Sequence, residues 1–312
     1  MTSMRPLITL VTLLLLTAFL HAEEAKKATA DKDRLIKVVR FLSEENHHRT
    51  KDPEKKKLTI DYIINTLKAA GLEASQDDFT VVFDDGTFTN IHALKKGRTD
   101  KRIIIGAHFD NVPGSPGADD NASGVAVLLE LAHMLKDTEL NCTVEFAAYD
   151  IEEWGLWGSQ HHAKKIKDDK VNVVCMICMD MVGYFSDEED SQNYPLKNMH
   201  SLYGTKGDFL AVVGRAKDEK MVAEAKRAFQ ESVPLKVESF LIPQMVSFLF
   251  TVSDHAPFWQ RNYPALFFTD TADFRTEHYH RRTDTWDTLD YDRMTQVAVG
   301  LYHVIRAIDT VR

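Results

Sequence analysis

Cysteine is scarce: the chain of 312 residues carries 3, at Cys142, Cys175 and Cys178. An odd count excludes a fully paired disulfide framework, and a chain able to bury a large core does not need one. Cys175 and Cys178 sit inside the apolar run VNVVCMICMD, with no second such pair to complete a metal knuckle, so core packing is the expectation. Positive charge is also in short supply. The formal net charge is -9, and beyond KDPEKKK at residues 51–57 no basic block forms a stripe, which argues against nucleic acid as a partner. That block reads as the solvated start of a helix. Long apolar runs are missing except at residues 6–20, which follow Arg5 and precede Ala22 and a charged stretch. This is the layout of a secretory signal peptide over residues 1–22, short of the ~20 residues a membrane span needs. The remainder, residues 23–312, is expected to be secreted or periplasmic, without stable membrane insertion after cleavage. Sequons stand at Asn121 and Asn141, relevant only in a eukaryotic secretory route.

What the chain does contain is ordinary for a globular protein, 44% hydrophobic and 27% charged residues. Helical periodicity marks residues 31–47 and 58–70, a helical lead-in over about residues 31–72. Residues 77–83 and 88–95 read as an antiparallel hairpin turning at DDGT. Solidly apolar strands are expected at 103–107, 142–150, 172–180 and 263–270, with a further one at 209–213. Helices are expected at 122–135, from about 155, at 217–233, after SDHAPF, and at 291–308. No repeat or long linker divides the chain. The fold class is α/β: a single domain whose central mixed sheet is covered by helices on both faces.

Charged residues gather where these strands end: His108 and Asp110, Asp119 and Asp120, Asp150, Glu152 and Glu153, Asp180, Asp254 and His255, then Asp270, His278, His280 and Asp284. Each has an ordinary reading alone, as a turn residue, a helix cap or a solvated corner. Together, at one sheet edge, Asp, Glu and His are what a metallohydrolase needs, and the mixture suits zinc better than calcium. Spacing does not choose between Asp119 and Asp120, or between His278 and His280.

The motifs GAHFD (106–110), GADDNASG (117–124), DIEEWGLWGS (150–159), CMDMVG (178–183), SDHAPF (253–258) and YHRRTDTWDTL (279–289) resemble, in order, those of the M28 zinc peptidases. The resemblance covers roughly residues 88–310. It implies two zinc ions per chain, with His108 and Asp180 on one, Glu153 and His280 on the other, and Asp120 bridging both. It further implies Glu152 as general base and Asp110 as the partner that orients His108. The activity implied is aminopeptidase action on a peptide substrate; a carboxypeptidase, a dipeptidase or a glutaminyl cyclase of the same family are the alternatives. The resemblance and their position put Asp254 and His255 on the wall of the cleft, either behind the metal ligands or facing the substrate. Phe274, Tyr279, Phe248 and Phe250 are candidates for an apolar specificity pocket. Arg275, Arg281 and Arg282 are candidate carboxylate binders, with surface pairing as the ordinary reading. His161 and His162 read as surface or packing residues.

Overall fold

Strands form where the sequence is β-branched and apolar, and helices where an apolar stripe follows a capping residue. Asp31 caps α1 (Lys32–Arg40) and Asp52 caps α2 (Pro53–Ala69), whose Pro53 occupies the first turn. Then come β1 (Glu73–Val81), β2 (Asp84–Lys95), β3 (Thr99–His108), α3 (Gly124–Met134), β4 (Cys142–Tyr149), α4 (Trp157–Asp168) and β5 (Val173–Met179). The second half holds α5 (His200–Tyr203), β6 (Phe209–Arg215), α6 (Glu219–Ser232), β7 (Lys236–Ile242), α7 (Ala256–Gln260), β8 (Ala265–Thr269) and α8 (Tyr291–Thr310). The structure, a computed structural model, describes residues 28–310 apart from residues 48, 244 and 246–251. The expected leader, Phe248 and Phe250 lie outside the described residues.

The strands make one 8-stranded mixed sheet in the order β1-β2-β4-β3-β5-β8-β6-β7. Its centre, β4-β3-β5-β8, is parallel, so four carboxyl ends share one edge. Side chains alternate between two cores, as a strand buried on both faces requires. Ile103, Ile105 and Ala107 join the larger core beneath α1, α2, α3, α6 and α8, whereas Ile104 joins the smaller core beneath α4 and α7. The single sheet with helices on both faces is the fold expected from the sequence. All three cysteines are free and buried. No helix among the described residues is long and apolar enough to cross a membrane.

Two local expectations are corrected. The β1–β2 hairpin turns at Val82 and Phe83, while DDGT lies inside β2. Phe79 pairs across to Phe88, with ring centroids 6.0 Å apart, and that contact sets the register. Strand β7 is an addition; its mostly half-exposed edge position gives it no apolar run to read. The helix expected from about residue 122 follows a kink at Asp120 and Asn121, which keep non-helical dihedrals, and is regular over Gly124–Met134.

The contact between α6 and α8 is tight enough to test. A Cβ added at Gly300 would overlap the ring of Phe229, a fully buried side chain. Gly300→Ala is therefore expected to destabilise the fold by about 1–3 kcal/mol through overpacking. Urea unfolding measures this, and a variant as stable as the parent would disprove the close approach.

Candidate metal centre

Adjacent parallel strands bring distant residues together. β3 ends at His108, register partner of Tyr149 at the end of β4. Beyond β4 lies the Glu152–Glu153 corner, and beyond β5 lies Asp180. The loop after β3 returns through Gly117, where φ is 65° and a Cβ would press on Asn111 and Arg49. The following Asp120–Asn121 peptide is cis. Asn121 is wholly buried and locks this turn to β5: its amide donates to the Met179 carbonyl at 2.9 Å, and its Oδ1 accepts from Gly124 N–H at 3.1 Å. That burial makes it unsuitable as a glycan acceptor in the folded protein. Left-handed non-glycine residues cluster here, with Ile151 (φ 48°), Met181 (φ 55°) and His280 (φ 57°) in or beside the charged group.

Two sets of donor atoms result. His108, Asp120 and Asp180 form one, and Asp120, Glu153 and His280 form the other; within each set the donor atoms lie within 4.8 Å of one another. His108 Nε2 is 3.3 Å from Asp120 Oδ1 and 3.4 Å from Asp180 Oδ1. His280 Nε2 is 3.0 Å from Asp120 Oδ2 and 3.1 Å from Glu153 Oε2. Asp120 thus gives one oxygen to each set. Both ring nitrogens of His108 and Oε1 of Glu153 are buried without a hydrogen-bond partner. Converging imidazole and carboxylate donors with unpaired lone pairs are what a borderline divalent cation binds, so these residues could hold two ions.

The electrostatics follow from crowding acids in a buried space. Burial pushes Glu152 well above the usual carboxylate range; the charge on His108 opposes this, and Asp180, Asp254 and Glu153 add to it. Burial and the Asp120 charge push Glu153 up to about 7 against its contact with His280. Burial would raise Asp120 as well, but its close contacts with His108 and His280 hold it below its ordinary value. Burial would lower His280, yet Asp120 and Glu153 raise it to about 10. The excess negative charge that raises both imidazoles is the same field that would favour a bound cation.

A supporting layer fixes the donors. Asp110 Oδ1 lies 3.2 Å from His108 Nδ1 and also accepts the Glu152 N–H at 3.0 Å, while Oδ2 accepts the Glu153 N–H at 3.3 Å. One carboxylate therefore lies against the imidazole and anchors the double-glutamate corner. Asp284 accepts the N–H groups of Asp119 (2.8 Å) and Asp120 (3.2 Å). Asp119 itself turns away and accepts the Gly183 N–H at 2.9 Å.

Arg49 gave no signal in the sequence, since a lone arginine in HHRTKD reads as solvated. It is fully buried and donates to the carbonyls of Leu42 (2.9 Å), Phe109, Pro116 (2.9 Å) and Gly117 (3.0 Å). It thereby ties the helical lead-in to both ends of the loop between His108 and Asp120.

Other candidates fall elsewhere. Asp150 pairs with Lys56 at 2.6 Å and anchors α2 instead of joining either donor set. Asp254 and His255 are wholly buried. Asp254 still senses the charges of His108, Asp180 and Asp110, and burial pushes it up to about 7. His278 contacts Thr283 Oγ1 at 3.0 Å, whereas Tyr279 stacks on His280 with centroids 3.8 Å apart. Asp270 accepts the Tyr184 N–H at 2.9 Å and shapes the following loop. Arg275 is not a surface residue: it lies over the Phe209 ring at 4.7 Å and donates to Gln192 at 2.8 Å and to the Tyr184 carbonyl at 3.2 Å. Arg281 and Arg282 are exposed, and Phe274 is half-buried.

Known proteins are similar to this chain in sequence and in fold. The model of "Peptidase family M28" matches residues 90–305. Uncharacterized protein YfbL of Escherichia coli is 36% identical over 286 residues, 87% of each chain. Aminopeptidase YwaD of Bacillus subtilis is 30% identical, covering 72% of this chain and 46% of the relative. The chain spans about half the length of the curated aminopeptidases it matches. Among solved structures, LapA aminopeptidase of Legionella pneumophila gives a TM-score of 0.74 at 19% identity, covering 93% of this chain and 76% of that one. A glutaminyl cyclase of Macrostomum lignano gives 0.71 at 18% identity, covering 93% and 92%. At such identities the likeness is one of fold, and it does not separate the two activities. The family match from residue 90 to residue 305 and the 36% identity over 87% of each chain agree: the chain belongs to peptidase family M28.

Proposed function

We propose that the chain is a zinc-dependent aminopeptidase with two zinc ions, hydrolysing the amino-terminal bond of a peptide substrate. The observation that carries this reading is the split of Asp120, one oxygen toward His108 and Asp180 and the other toward His280 and Glu153. His108 and Asp180 would hold one ion, Glu153 and His280 the other, and Asp120 both. Such ions supply Lewis acidity to the scissile carbonyl and acidify the attacking water. Glu152 belongs to neither donor set, and as general base it takes the water's proton and returns it to the leaving amine. Asp110 keeps His108 in one tautomer and holds the Glu152 corner in register with it. Aminopeptidase-named relatives support the amino-terminal specificity, and Arg275 is engaged by Gln192 and Tyr184 in place of a substrate carboxylate. On this reading residues 1–22 are a removable leader, residues 23–312 the peptidase domain, and the enzyme works outside the cytoplasm.

A panel of aminoacyl-arylamides beside amino-terminally blocked peptides tests the proposal. Free amino termini are expected to be cleaved, with activity lost on chelation and regained with zinc. Equal cleavage of blocked peptides would overturn the amino-terminal assignment, and full activity after metal stripping would overturn the metal.

A further inference from the structure

A third cluster of metal-type donors lies on the opposite side of β4 from the larger core, where α4 covers the antiparallel edge of the sheet. Leu94 is the register partner of Glu145 and His92 that of Ala147, so His92 and Glu145 are diagonal neighbours on one face. Asp77 of β1, partnered with Asn90, stands diagonal to His92 in the same way. Helix α4 brings His161 and His162 down onto this face. The result is three imidazoles and two carboxylates contributed by β1, β2, β4 and α4.

The geometry is convergent. Glu145 Oε1 lies 2.9 Å from His92 Nδ1 and 3.1 Å from His162 Nε2. One donor atom each from His92, Glu145 and His162 falls within a 4.8 Å radius of the others. Glu145 and His162 are 4% and 3% exposed, so the site is enclosed. Neither ring nitrogen of His92 has a hydrogen-bond partner, despite the short distance to Glu145, because the donor and acceptor directions are not aligned. The outer oxygens are occupied: Arg102 holds Glu145 Oε2 at 2.9 Å and Lys165 holds Asp77 Oδ1 at 2.9 Å. Tyr149 Oη lies 3.0 Å from His162 Nδ1, which fixes the ring and leaves Nε2 to face Glu145. Two imidazoles and a carboxylate with an oriented second layer make a set suited to zinc or a neighbouring first-row divalent ion.

We propose that His92, Glu145 and His162 form a further divalent-cation site, separate from the centre around Asp120, with Asp77 and His161 at its rim. Its ligands come from three elements, β2, β4 and α4, so an ion here clamps the edge hairpin to the helix that follows the Glu152–Glu153 corner. Its role is structural: it steadies the corner without touching substrate.

Full-length protein dialysed against zinc is to be counted for metal by mass spectrometry, and its crystals measured at the zinc absorption edge. The expected result is an anomalous peak among His92, Glu145 and His162. The double variant His92→Gln, His162→Gln is expected to retain one ion fewer per chain and to lose the zinc-dependent rise in melting temperature that this site provides, while still cleaving the arylamide. Equal metal content in parent and double variant overturns the proposal. So does an anomalous map of the parent with peaks at the Asp120 centre alone, and that map decides the matter if the double variant fails to fold.

Discussion

Glu152→Gln is expected to lower kcat by about 100- to 10,000-fold, the range associated with losing a general base, with metal content unchanged. The two halves of this outcome come from one observation: Glu152 is absent from both donor sets, while its neighbour Glu153 belongs to one. The amide side chain keeps the size of the carboxylate but cannot take up a proton. The corner itself is held by backbone N–H groups of residues 152 and 153 donating to Asp110, and these survive the substitution. A purely structural Glu152 would predict loss of stability with activity per folded molecule preserved. Kinetics and metal analysis on the same sample separate the cases. Full activity with normal metal content would remove Glu152 from the mechanism, and loss of an ion would make it a ligand. Glu153→Gln provides the contrast, since it is expected to lose metal first and activity as a consequence.

Arg49→Met is expected to cost about 3–5 kcal/mol of stability, the scale for breaking a buried charged network by removing one partner. Four carbonyl groups lose their donor at once, and a buried unsatisfied acceptor costs about 1–3 kcal/mol. The charge also matters. Burial pushes the guanidinium down to about 10, but Asp110, Asp284, Asp120 and Glu153 oppose this, so it stays positive beside the acidic centre. Methionine fills comparable space and leaves that negative charge less balanced. Arg49→Lys should recover part of the loss, because an ammonium retains the charge but cannot match the fork that reaches Leu42, Phe109, Pro116 and Gly117 together. Denaturant midpoints at constant slope measure the effect. A methionine variant within about 1 kcal/mol of the parent would show that the lead-in is not braced through this residue.

Arg49 also marks where reading the sequence stops. Strand ends such as His108 and Asp180 were legible because an apolar run predicts burial on both faces and a following charge predicts the sheet edge. The helical lead-in was legible from its periodicity, but its connection to the site was not. Nothing local distinguishes an arginine that reaches four carbonyls from one that reaches water. Arg275 repeats the point: the residue stands in a polar stretch, yet it packs on Phe185 and Phe209, aromatic neighbours far away in the chain. Strand β7 and the hairpin turn are hidden in the sequence for a related reason. At an exposed edge, cross-strand partners such as Phe79 and Phe88 set the register, and composition says little about which residues will face each other.

Consecutive residues are enough to specify the α/β class, the strands whose carboxyl ends carry the acids, and the order of motifs that marks the family. Those features are local: apolar runs, turn residues and fixed spacings are written in consecutive positions. The resemblance already implies Asp120 over Asp119 as the shared ligand; tertiary structure alone shows that Asp119 turns to Gly183, and that Asp110 lies against His108 while holding the Glu152–Glu153 corner. It also decided that His92, Glu145 and His162 meet, although the sequence presented them as packing residues or gave them no role. The physical reason is the same in each case. The direction of a carboxylate or imidazole is set by partners from other strands, and only strand pairing brings those partners within a hydrogen bond's length.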